Sequence, residues 1–166
     1  MTKEFYDKLA KPYEEDEKKR GRLLKVNSLI TRLVYIVYPI LLIALLILRD
    51  GRFIKTLLVP LVTFAAVTIF RKLCNAKRPY EVWDVKPLIP KETKGNSFPS
   101  RHVFSIYIIT MAAAYSCIPL AILLAAAGVF LASARVVARV HFIKDVFAGA
   151  ILAIGLGIVG FWIIPG

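Results

Sequence analysis

Residues 146–164 read VFAGAILAIGLGIVGFWII, nineteen consecutive positions without a charged side chain. As a helix rising about 1.5 Å per residue, this stretch spans roughly 28 Å, close to the thickness of a bilayer's hydrocarbon core. Four further blocks of the same kind precede it: Leu29–Leu48, broken only by Thr31 and Arg32; Phe53–Phe70, with Lys55 one turn in; Val103–Ile118; and Leu120–Ala134, continued by Val136, Val137 and Ala138. Arg32 and Lys55 lie near block ends, where long cationic side chains snorkel to the headgroups. Pro119 divides the third block from the fourth, which predicts a short hairpin over Cys117–Leu120. The chain has 166 residues, 58% of them hydrophobic and 20% charged, with a mean hydropathy of +0.65. A soluble domain holding five such helices would lack the polar surface to cover them. The expected fold is therefore all-α, an integral membrane bundle of about five transmembrane helices, with Gly149, Gly155, Gly157 and Gly160 allowing close helix contact.

Residues 1–26 are different material and are read as a polar leader before a transmembrane domain of 27–166. Phe5 and Leu9 are four apart and Tyr6 and Tyr13 seven apart, among eight basic and six acidic side chains, and Pro12 is expected to interrupt a single helix. Two readings stand: an amphipathic helix lying on the headgroups, or a solvated leader. A cleaved signal peptide does not fit so acidic and long a segment, so the first span is expected to be retained. No internal repeat or low-complexity tract is present.

Five antiparallel spans place the leader and segments 71–102 and 135–145 on one membrane face. Cys74 then lies a bilayer away from Cys117, so both are expected to be free thiols. The net charge is +12, and 20 of the 23 Lys and Arg residues lie on the face with the leader, against Arg49, Arg52 and Lys55 on the other. The positive-inside rule puts that face in the cytoplasm of a multi-pass cell-membrane protein. Setting aside Arg71, Lys72, Arg78, Arg101 and Arg135 still leaves 15 against 3.

The same face gathers the residues suited to chemistry. Arg71, Lys72, Lys77 and Arg78-Pro79 follow the second span; Phe98-Pro99-Ser100-Arg101-His102 precede the third; Arg135, Arg139, His141 and Asp145 lie between the fourth and fifth. Each has an ordinary explanation as a helix-end anchor or polar cap, but together they suit a phosphate. Arginines offer forked donors to its oxygens, and a helix starting at Ser100 offers backbone N–H groups to the same anion. His141 and Asp145 are four apart, so on one helical turn the carboxylate would hold one ring nitrogen and leave the other to attack phosphorus. His102 would protonate the departing oxygen. A metal-dependent phosphatase needs several converging carboxylates, whereas segments 71–102 and 135–145 add only Glu81, Asp84 and Glu92 to Asp145, spread through one loop; no metal and no other cofactor is expected.

These three segments resemble the three-part signature of the type-2 phosphatidic acid phosphatase superfamily, K-xxxxxx-RP, PSGH and SR-xxxxx-H-xxx-D. The first appears as Arg71, six residues, then Arg78-Pro79, with Arg for the usual Lys and Lys72 adjacent. The second is Pro99-Ser100-Arg101-His102, with Arg for Gly, and the third is Ala134-Arg135, five residues, His141, three residues, Asp145, with Ala for Ser. The resemblance implies that His141 forms a phosphohistidine, Asp145 orients it and His102 is the acid. It implies phosphate binding by Arg78, Arg135, Ser100 and either Arg71 or Lys72, to which Arg101 adds a charge contact. Membrane members of the family typically have six helices, so the leader stands in for the first. The vanadate-binding peroxidases of the family are larger and soluble, unlike this chain.

The expected function is a membrane phosphatase acting on a lipid phosphate or diphosphate: phosphatidate, phosphatidylglycerophosphate or a polyprenyl (di)phosphate, with membrane lipids as its surroundings. The alternative is a small transporter whose basic face recruits headgroups. Transporters usually carry ionisable or broken-helix features at mid-membrane, for which Pro60 is the candidate. Nucleic acid is not an expected partner, because the charge lies against the membrane and no recognition fold is evident.

Overall fold

In a computed structural model describing residues 2–90 and 93–165, the chain is helical throughout its regular elements. These are α1 (Lys3–Glu14), α2 (Glu17–Ile47), α3 (Phe53–Cys74), α4 (Pro79–Trp83), α5 (Arg101–Ser116), α6 (Ile118–Val137) and α7 (Ile143–Ile158), the last continued by a π-helical turn, Val159–Ile163. Glu92, weighed above as a loop carboxylate, lies outside the described residues.

Among the described residues four helices, α2, α3, α6 and α7 with its π turn, are long and apolar enough to cross a membrane. The remaining expected span, α5, has 16 residues, about 24 Å of rise. It needs less length because it is the bundle's centre: Val103, Phe104, Ile106 and Ala112 are all fully buried against its neighbours. Large apolar side chains of the outer helices, among them Leu29, Ile47, Ile122, Phe130 and Ile151, face outward, the pattern of a protein solvated by hydrocarbon. On the face away from the leader, Cys117 alone joins α5 to α6, and Arg52, paired with Asp50, donates to the carbonyls of Tyr115 and Ser116 at 3.3 Å. Cys74 and Cys117 are both free thiols.

Glycine sets the distance between helices at three of the four expected positions. A Cβ at Gly149 would lie 2.7 Å from the Ser100 carbonyl oxygen, so α7 meets the start of α5 backbone to backbone; Gly157 is closed off by Met111 and Gly160 by Val59. Gly155 is the exception, with open space around it. It stands two residues before Gly157, roughly 200° around the helix, and so looks away from α5.

The leader is helical on either side of Glu15 and Asp16. Asp16 caps α2 by accepting from the amides of Lys18 and Lys19, so α2 starts at Glu17 and runs unbroken past residue 26. Pro12 does not interrupt α1, which continues to Glu14; a proline removes one amide donor, and this one lies in the final turn, where little helix remains to be lost. Helix α1 is folded onto the protein, with Tyr6 and Ala10 buried.

Candidate active site

Two arginines begin the site. Asn75, in the left-handed conformation, ends α3 and turns the chain toward Arg78, which caps α4 with Pro79 in the first helical position. Glu81, three residues on, accepts from the Arg78 amide at 2.8 Å and from the Gly95 amide at 2.9 Å, clamping the loop against the start of α4. Within that clamp Arg78 donates to the carbonyls of Gly95 and Val140, both at 2.9 Å, and of Asn96 at 3.2 Å. Arg71, in the last turn of α3, donates to the carbonyls of Pro99 and Asn96. Asn96 thus accepts from both guanidinium groups.

Because α6 ends at Val137 and Arg139 takes a left-handed turn, His141 precedes α7 rather than lying on one helical turn with Asp145. The two meet in another way. Asp145 is in the first turn of α7 and reaches back, its Oδ2 accepting from the Phe142 amide at 3.0 Å and lying 3.5 Å from His141 Nδ1. Ser97 completes the group: its hydroxyl donates to Asp145 Oδ2 and stands 3.4 Å from His141 Nδ1. The other ring nitrogen, Nε2, faces Arg78 Nη1 at 3.4 Å. Burial above all, with the charges of Arg78 and Arg135, holds the His141 pKa below the ordinary histidine range, while Asp145 pulls the other way. At neutral pH the imidazole therefore carries a lone pair, on Nε2 if Nδ1 holds its proton toward Asp145.

Arg135 is buried in the last turn of α6, where its carbonyl accepts from the amides of Val140 and His141, and its Nε has no hydrogen-bond partner. Ser100 is fully buried; its amide donates to the Asp145 carbonyl at 2.8 Å and its hydroxyl has no partner. His102 is half-buried in the first turn of α5. Two expected ligands point elsewhere. Lys72 is exposed, because one residue is about 100° of helix and Arg71 takes the inward direction. Arg101, likewise one step from the buried Ser100, is exposed, with its guanidinium carbon 5.9 Å from the centroid of the Phe64 ring on α3.

Several contributors lie outside the signature. Glu81 had a readable signal, an acidic side chain three residues into a helix opened by Arg-Pro. Ser97 had none beyond its place among small polar residues. Nor did the closure supplied by α1: Arg139, held in its left-handed turn, is paired with Asp7 at 2.8 Å and Glu14 at 2.6 Å, while the Tyr6 hydroxyl accepts from the Ile143 amide at 2.9 Å. The Tyr6, Trp83 and Phe142 rings pack together beneath it.

The sequence model of the PAP2 superfamily matches residues 52–166 of this chain, a stretch containing every element of the site except α1. Among solved structures, LpxE from Aquifex aeolicus is 24% identical, with a TM-score of 0.73 over 95% of this chain and 92% of that one. A transmembrane PAP2-type phosphatidylglycerolphosphate phosphatase from Bacillus subtilis is 21% identical, with a TM-score of 0.57 over 94% and 90%. At these identities the likeness is one of fold. No curated protein matches the chain.

Proposed function

The chain belongs to the PAP2 superfamily, and from that premise we propose that it is an integral membrane phosphatase that hydrolyses a lipid phosphate or diphosphate through a phosphohistidine. The observation that carries this reading is a set of three buried guanidinium groups without a direct carboxylate partner. Arg71, Arg78 and Arg135 are buried beside His141, and among the described residues none is paired with a carboxylate within ion-pair distance. The hydroxyl of Ser100 and Nε of Arg135 lack partners in the same place. Buried guanidinium groups and unsatisfied donors are costly on their own, and a phosphate answers both costs at once.

Nε2 of His141 attacks phosphorus, the bond from phosphorus to the lipid-side oxygen breaks, and that oxygen takes a proton from His102 and departs. Water then attacks the phosphohistidine, giving its proton to His102, and inorganic phosphate leaves as His141 is restored. Asp145, held by Ser97 and the Phe142 amide, keeps Nδ1 protonated and steadies the charge the ring acquires. The guanidinium groups meet the charge that develops on the phosphoryl oxygens.

Purified protein is expected to release inorganic phosphate from phosphatidate, phosphatidylglycerophosphate or a polyprenyl (di)phosphate in excess chelator, with vanadate inhibiting as a five-coordinate mimic. Strict dependence on added magnesium, or turnover indifferent to vanadate, would overturn the reading. The excess of cations on the leader's face favours a cytoplasmic site. A single cysteine placed in the leader, in a chain lacking Cys74 and Cys117, is accordingly expected to resist a membrane-impermeant thiol reagent in intact cells. Labelling there would put the site outside.

A further inference from the structure

A cavity of about 270 Å³ lies between α2, α3 and α5, with Leu131 of α6 also in its wall. Its α5 wall runs from Arg101 and His102 in the first turn to Ile108 and Ile109 two turns deeper, about 12 Å along the helix. Tyr38 and Leu57 line its deep end, where the Tyr38 hydroxyl is bonded to the Thr56 carbonyl at 2.9 Å. The lining is otherwise apolar or hydroxyl-bearing, so its cationic and imidazole groups are confined to the mouth, in Arg101 and His102.

Arg101 is not placed as a simple surface anchor. A snorkelling arginine carries its charge toward the headgroups, whereas this one is turned across the cavity mouth over the Phe64 ring. No carboxylate among the described residues pairs with it. It is close enough to the cradle for its charge to act against that of Arg78. The reacting phosphate already has Arg71, Arg78 and Arg135, leaving Arg101 beside His102, on the side where the leaving oxygen continues into the rest of the substrate.

We propose that Arg101 binds a second anionic group of the substrate, just beyond the leaving oxygen, so that the enzyme favours lipid phosphates with two anionic groups over a lone monoester. This rests on the reading of the site as a lipid phosphatase. The shared chemistry is a phosphate within a few atoms of the scissile bond, and it has two sources: the inner phosphate of a diphosphate, which departs as a lipid monophosphate, or a phosphodiester joined to the reacting group through a short polyol. Lone monoesters leave the guanidinium facing apolar surface.

The test compares kcat/KM within two pairs of equal hydrocarbon content, a prenyl diphosphate against the prenyl monophosphate and phosphatidylglycerophosphate against phosphatidate, for the full chain, Arg101→Gln and Arg101→Lys. Wild type is expected to favour the doubly anionic member of at least one pair, and the pair identifies the source. In Arg101→Gln that preference falls by about tenfold, the scale of one charge-assisted hydrogen bond, and Arg101→Lys restores part of it. An unchanged ratio in Arg101→Gln, or equal losses on both members, would overturn the proposal. Wild type that releases no phosphate from any of the four would overturn the phosphatase reading itself and the proposal with it.

Discussion

Exchanging His141 for alanine is expected to lower kcat for phosphate release on the order of 10⁴-fold or more, because the attacking atom itself is removed. On the proposed reading, the rest of the site presents that atom. Asp145 Oδ2 and Ser97 lie on the Nδ1 side of the ring, Arg78 stands at the Nε2 side, and the ring is buried. Thermal melting of the same preparation separates lost chemistry from lost folding, since a melted variant would be inactive for another reason. A folded variant retaining activity within about tenfold of wild type would remove His141 from the reaction, as the loss of a nucleophile is far larger than that.

The second large effect divides two neighbours. Arg71→Ala is expected to cost about 10²- to 10³-fold in kcat/KM, the scale for removing one donor to a developing oxyanion, whereas Lys72→Ala stays within about twofold, as exposed substitutions away from a site usually do. Arg71 also spans two carbonyls, Asn96 and Pro99, tying α3 to the segment that leads into α5. Arg71→Lys is therefore expected to fall between wild type and alanine: the charge remains, but a single ammonium is a poor substitute for a planar fork. Greater sensitivity at Lys72 than at Arg71 would show that the phosphate is held in a register one residue away.

What the sequence disclosed follows the physics of each signal. Hydrocarbon demands long uncharged helices, so the spans were legible in composition alone, and the centrally buried α5 is short because protein surrounds it. Spacing in the signature singled out His141, Asp145, Arg71, Arg78 and Arg135, which the fold brings together at helix ends and in the connection between α6 and α7. Direction was less legible. Whether Arg71 or Lys72 turns inward, and where Arg101 points, depends on a rotation of about 100° per residue that cationic side chains do not reveal. The geometry of His141 with Asp145 depends on a left-handed turn at Arg139, and nothing in the residue type requires one there. The docking of α1 was hidden for a related reason: a helical period in Tyr6 and its neighbours shows that one face is apolar, but not what covers it. Its partners, Arg139 and Ile143, are more than a hundred residues away.

The central claim, a covalent bond between His141 and the phosphoryl group, is tested most directly by trapping it. Protein mixed with a lipid phosphate carrying radiolabelled phosphorus and quenched in alkaline detergent is expected to retain label that survives alkali, is released by acid, and is absent from His141→Ala. Label of the same stability in His141→Ala, or a wild type that turns over while never holding label on the protein during rapid quenching, would contradict it.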